Sequence, residues 1–153
     1  MSDLVVSWAA INDFLEIAEL DRISWLHNRN SEFIPDGEHV WRHWVEHGYV
    51  CVAKQNQEIA GVALSFASTR PKFHFLHKVF LAKSYTGQGV GRKLLKVLCE
   101  KYDENKISVQ LTTDTNNMAM QCLAERMGFS EKELVKGYYR ENEDRWVYTR
   151  VPG

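Results

Sequence analysis

The chain has 153 residues, 44% of them hydrophobic and 25% charged, with a formal net charge of −1. That length makes one ordinary domain with room for a sizeable core, and the composition is that of a soluble globular protein. The near-neutral balance removes bulk electrostatic support for a nucleic-acid or anionic-membrane partner. No apolar run approaches membrane-spanning length and MSDLVVSWAA lacks the basic region and long apolar core of a signal peptide, so a cytoplasmic location is expected.

In chain order, Leu4–Ala9 is short and apolar enough for a first strand. Asn12 or Asp13 can cap the helix that follows, with Glu16 placed as in a capping box. Phe14, Ile17, Ala18, Leu20 and Trp25 give that helix an apolar, untidy face to about Trp25. His27–Gly37 is polar and turn-rich and reads as a loop before a second helix, Glu38–His47. There Val40, Trp41, Trp44 and Val45 recur at helical spacing and should face the core. His39, His43 and His47 fall at i, i+4 and i+8, a spacing open to zinc or to a solvated flank; no cysteine or carboxylate completes a set nearby, so the flank and no metal are expected.

Tyr49–Lys54 and Glu58–Ser68 read as a hairpin around Gln55, Asn56 and Gln57, and Phe73–Leu81 as a third antiparallel strand. Alternation along that strand places His77 on one face with Val79 and Leu81. A loop with Gly87, Gly89 and Gly91 leads into a helix lined by Val90, Leu94, Leu95 and Leu98, and then into a strand Ile107–Thr112; a strand–helix–strand crossover of this length implies parallel neighbours. The cluster Thr113–Asn117 caps a further helix, with Ala119, Cys122, Leu123 and Met127 on one face and Gly128 at its end. Glu133–Tyr139 and Arg145–Val151 complete the strands. Cys51, Cys99 and Cys122 are an odd number without a CxxC pair and read as buried reduced thiols. Nothing interrupts the order as a linker or repeat, so residues 1–153 are expected to form a single domain.

The chemistry concentrates at the glycine loop. Glycines let a backbone turn tightly and approach an anion, and the following helix offers unpaired N–H groups and the positive end of its dipole, with Arg92 in its first turn. A dinucleotide fingerprint needs glycine or alanine where Arg92 stands, and a P-loop needs Gly-Lys followed by Ser or Thr, which is absent. The bland alternative is a glycine-rich connector with no ligand.

Thr86-Gly87-Gln88-Gly89-Val90-Gly91 instead resembles motif A of the GNAT superfamily of N-acetyltransferases, Arg/Gln-x-x-Gly-x-Gly/Ala, with Thr86 departing at the first position. The order of elements along nearly the whole chain is also that of the GNAT fold. Asn117 to Gly128-Phe129 matches the family's second signature, in which Asn117 takes the coenzyme-contacting asparagine, a role compatible with a plain helix N-cap. The tail Gly137-Tyr138-Tyr139, followed by acidic residues and a last strand, looks like that of the ribosomal-protein N-terminal acetyltransferases.

The resemblance implies an α/β fold with a single mixed, mostly antiparallel sheet flanked by about four helices. It implies an enzyme that moves an acetyl group from acetyl-coenzyme A to a primary amine by direct attack, the acceptor being a small amine, a polyamine or a peptide or protein N-terminus. Val79, Phe80 and Leu81 would hold the pantetheine arm, and Thr86, Gly87, Gln88, Gly89, Val90, Gly91 and Arg92 the pyrophosphate. The loop His27–Gly37 and the tyrosine pair would shape the acceptor pocket. His77 matches a histidine position of the arylalkylamine acetyltransferases and is the candidate base. The family's acid tyrosine is replaced by Ala124, which leaves Tyr138, Tyr139, a water or no acid at all in that role. Acetyl-coenzyme A and an amine are the expected partners, with no nucleic acid or membrane, for a monomer or homodimer. The missing tyrosine also motivates the alternative of a non-catalytic acyl-coenzyme A sensor, and the loop alone that of a module for an unrelated phosphate ligand.

Overall fold

In a computed structural model that describes residues 3–27 and 36–153, seven strands form one open sheet in the order β1-β2-β3-β4-β5-β7-β6. The strands are β1 Val5–Trp8, β2 Tyr49–Gln55, β3 Glu58–Ala67, β4 Phe73–Leu81, β5 Ser108–Asp114, β6 Glu131–Val135 and β7 Arg145–Arg150. The helices are α1 Phe14–Leu26, α2 Glu38–His47, α3 Val90–Glu104 and α4 Met118–Arg126. Among the described residues only β4 and β5 pair in parallel, and the other neighbouring strands are antiparallel.

Two apolar clusters on opposite faces hold the sheet. Ile17, Trp41 and Val45 from α1 and α2 pack on Val50, Val52, Val62 and Leu64. Leu94, Leu95, Leu98 and Tyr102 of α3, with Ala124 of α4, pack on Cys51, Ala53, Ala63 and Leu76. Gly61 permits the second contact, because a Cβ there would sit 2.7 Å from Leu81 Cδ2 and 3.0 Å from Val90 Cγ1. The β2–β3 hairpin turns at Asn56 and Gln57, with φ of 53° and 67°, the left-handed pair whose twist matches that of the flanking strands.

Several local expectations are corrected. A short 3-10 turn at Ile11–Asp13 precedes α1, and the Asp13 carboxylate accepts from the Ala10 N–H at 2.8 Å instead of capping α1. Helix α4 turns Gln121 and Ala124 to the core and leaves Ala119 and Cys122 exposed, so Cys122 is not a buried thiol as expected. The reason is Gln121: its amide donates to the Asp114 and Thr115 carbonyls at 3.3 and 3.0 Å, and this polar anchor sets the rotation of the helix. Cys51 and Cys99 are buried, and burial pushes their thiols up to about 12 and about 11. Strand β6 ends at Val135, so Tyr138 and Tyr139 lie in the β6–β7 connector rather than on a strand. Gly137, at φ 63°, starts that turn, and its N–H is taken by the Asp144 carboxylate at 2.9 Å.

Candidate active site

The parallel ladder between β4 and β5 is short. It pairs Phe73 with Ser108, His74 with Val109 and Phe75 with Gln110, and then stops although both strands continue. Beyond Phe75 the strands splay, while β3 still pairs with the far edge of β4. Alternate backbone N–H and C=O groups of β4 therefore face a gap instead of a neighbouring strand, and buried backbone groups need partners. A cavity of about 580 Å³ occupies the gap, lined by Leu76–Phe80 of β4, Leu111–Asp114 of β5, Asn116–Met120 at the start of α4, Asp21, Ser24 and Trp25 of α1, and Arg145.

At the C-terminal end of β4 lies the glycine loop. Gly87 and Gly89 have φ of 79° and 75°, conformations that glycine adopts at little cost, and a Cβ at either would meet only open space. Gly89 is the N-cap of α3 and supplies no side-chain acceptor, and the helix bonding starts with the Lys93 N–H on the Gly89 carbonyl at 3.2 Å. The Val90, Gly91 and Arg92 N–H groups are thus the helix's open donors. A cap with a side chain would have used one of them; this one leaves them for an anion. The Val90 side chain is buried in the core, so only its backbone is available to a ligand. Thr86 Oγ1 donates to the Lys83 carbonyl at 2.9 Å and Gln88 Nε2 to the Ser84 carbonyl at 3.0 Å, which brace the loop from within. Gly91 joins loop to cavity, since a Cβ on it would stand 3.4 Å from Leu123 Cδ2 and 3.8 Å from Val79 Cγ1. Of the three pantetheine candidates Val79 and Phe80 line the cavity; Leu81 lies beyond it, its carbonyl accepting from Ser24 Oγ at 3.3 Å. Asn117 both lines the cavity and caps α4, its side chain accepting from the Met120 N–H at 3.1 Å.

His77 lies in the cavity wall but not on the expected face. The β3–β4 register shifts between Leu64, opposite Lys78, and Ser65, opposite Leu76, so His77 is the extra residue of a β-bulge. Alternation breaks there, and His77 and Lys78 both point toward α1 and α2 while Val79 and Leu81 face α3. His77 packs against the rings of Trp44, Phe66 and Phe75 and lies 3.1 Å from Asp36 Oδ2. Lys78 Nζ bonds Asp21 Oδ1 and Oδ2 at 2.9 and 2.7 Å and Asp36 Oδ2 at 2.8 Å, and Asp21 also accepts from the Trp41 indole at 2.9 Å. Burial works against a charged Asp36, but the hydrogen bonds of His77 and Lys78 outweigh it and hold the carboxyl at about 2.

Sequence reasoning missed Asp21 and Lys78, and included Asp36 only as part of the loop His27–Gly37. The signal was a lysine within the apolar run of β4 and an aspartate on the core side of α1, four residues after Ile17. The tyrosine pair is not in the cavity wall. Tyr138 and Tyr139 pack edge to face, Arg145 sits 5.0 Å over the Tyr139 ring, and burial, with Tyr139 adding to it, raises the Tyr138 hydroxyl above its usual value. Ala124 is fully buried in the core and presents nothing to the gap. Residues 28–35 of the loop expected to shape the acceptor pocket lie outside the described residues. His39, His43 and His47 are exposed, and among the described residues no three His, Cys, Asp or Glu side chains are placed to hold a metal ion together.

A sheet parted between two parallel strands, with an uncapped glycine-rich helix terminus beside the opening, is the layout of an acyl-coenzyme A-dependent acetyltransferase. The sequence profile of the acetyltransferase (GNAT) family matches residues 14–129, and the chain belongs to that family. No curated protein sequence matches it significantly. Among solved structures it is similar to a ribosomal-protein-alanine N-acetyltransferase from Brucella melitensis, with TM-score 0.82 and 21% identity over 97% of this chain and 99% of that one. The yncA protein of Salmonella typhimurium, solved with its cofactor acetyl-CoA, gives TM-score 0.81 and 20% identity over 99% and 95%. The ribosomal-protein-S18-alanine N-acetyltransferase of Escherichia coli gives 0.80 and 19% over 97% and 94%.

Proposed function

We propose that the protein transfers the acetyl group of acetyl-coenzyme A to a primary amine, of a small amine, a polyamine or a peptide or protein N-terminus, by direct attack in the β4–β5 gap. The observation that carries this reading is the end of strand pairing at Phe75 and Gln110 beside the open donors of α3. Likeness in fold to a protein solved with acetyl-CoA and to N-acetyltransferases of ribosomal-protein alanine supports the donor and favours a peptide amine among the acceptors.

In this reading the loop from Thr86 to Arg92 takes the pyrophosphate, and Asn117 and the backbone of Val79, Phe80 and Leu81 take the pantetheine arm. A free N–H of β4 polarises the thioester carbonyl, the work of an oxyanion hole. His77 accepts a proton from the acceptor ammonium, whose freed nitrogen attacks the carbonyl carbon. The C–N bond forms, the C–S bond breaks, sulfur leaves with the bonding pair as thiolate, and the second proton that the nitrogen must lose to become an amide passes to water. A thiol of pKa about 8.5 leaves tolerably in that form and regains its proton from water, so Ala124 does not block turnover. Release of free thiol from acetyl-coenzyme A, followed over a panel of small amines, polyamines and short peptides, tests the proposal. Absence of amine-dependent release from folded protein that binds the coenzyme would refute it.

A further inference from the structure

A neutral imidazole offers two nitrogens, and only the one without hydrogen can act as a base. His77 Nε2 stands 3.1 Å from Asp36 Oδ2. That carboxylate is clamped by the Lys78 ammonium, which is itself gripped by both oxygens of Asp21. Asp36 thus stays ionised through the neutral range, and an ionised carboxylate only accepts. We infer that Asp36 is a positioning residue: it fixes His77 as the Nε2–H tautomer, so that Nδ1 is the nitrogen available to take the acceptor's proton. Among the described residues, the charged groups of this arrangement are Asp36 from the segment before α2, Lys78 from β4 and Asp21 from α1, with Asp114 and Arg145 on the far wall of the cavity, while α2 and β3 pack the rings of Trp44 and Phe66 against His77. The bulge makes this possible, because it turns His77 and Lys78 to one side, where a single carboxylate oxygen meets both.

The inference rests on the reading of His77 as base, and the test separates the two. Nitrogen-15 spectra of histidine-labelled protein in weakly alkaline buffer, with the His77 signals identified by their loss in His77→Gln, should show a protonated Nε2 and an unprotonated Nδ1. Asp36→Asn should give a mixture of tautomers and lower kcat/KM about 10-fold, leave the Kd for acetyl-coenzyme A unchanged, and be partly rescued by Asp36→Glu. An Nδ1–H tautomer in the parent protein, or an unaltered tautomer in Asp36→Asn, overturns the inference and leaves the base assignment untouched. If Asp36→Asn does not fold, the parent spectrum alone decides. Parental turnover in His77→Ala removes the base assignment, and with it any catalytic purpose for the tautomer.

Discussion

At the scale of single residues, the bulge in β4 decides most. If His77 removes the acceptor's proton, His77→Ala should lower kcat/KM roughly 10²-fold near neutral pH and flatten the rise of rate with pH, with coenzyme binding nearly unchanged. Parental rates in that variant, together with their loss in Tyr138→Phe or Tyr139→Phe, would move the chemistry to the β6–β7 connector. Asp36 carries a separate prediction about stability. Its carboxyl is lowered from 3.8 to about 2 on folding, so its contribution is complete above about pH 4 and is lost as the pH falls through about 2. For a partly exposed carboxylate this is worth about 1–2 kcal/mol after solvent screening. In urea titrations the parent should therefore lose that much more stability than Asp36→Asn between pH values of about 5 and about 2. An equal loss in both proteins would mean that the carboxyl titrates normally.

At the scale of elements, helix α3 serves two masters. Its N-terminus must stay open to an anion and its apolar face must press on β2, β3 and β4, and each demand falls on a glycine. Gly89→Glu puts a side chain and a negative charge where the open N–H groups converge and asks a non-glycine residue to hold φ of 75°, a conformation costing about 1–2 kcal/mol. The expected result is a folded protein by circular dichroism that acetyl-coenzyme A no longer stabilises. Gly61→Ala is expected to fail differently. The new methyl would collide with Leu81 and Val90 at the contact between β3 and α3, for an overpacking cost of about 1–3 kcal/mol, seen as a drop in the urea midpoint. Full stability in that variant would show that the contact relaxes without penalty. The lysine of β4 follows the same logic in charge: Lys78 joins β4 to α1 through Asp21, and removing it would leave a buried carboxylate without its cation.

At the scale of the whole molecule, the cavity strands and the helix behind the glycine loop share one apolar cluster, Leu76 and Leu111 with Val90 and Leu94, so coenzyme binding must appear as stability. A ligand at about 100 times its Kd adds about 2.7 kcal/mol, which for a domain of this size is a Tm rise of roughly 5–10 °C. Acetyl-coenzyme A should produce that shift in the parent; no shift at saturating concentration would remove the donor assignment. Much of this protein was legible in its sequence. The apolar rhythm of β2, β3, β4, α2 and α3, the hairpin at Asn56–Gln57, and the glycines before α3 act through local steric and hydrophobic rules that hold in any context. They led to the element order, the parallel crossover and the family. The rest depended on registry between distant segments. Whether His77 follows the alternation is set by a mismatch with β3 that no local pattern encodes, and the chain from Asp21 to Lys78 to Asp36 joins residues up to 57 positions apart. Likewise the cavity exists because β4 and β5 stop pairing after three residues. A sequence specifies what each segment prefers to bury; where two segments part, and which charges meet across the opening, is settled only when all of them pack at once.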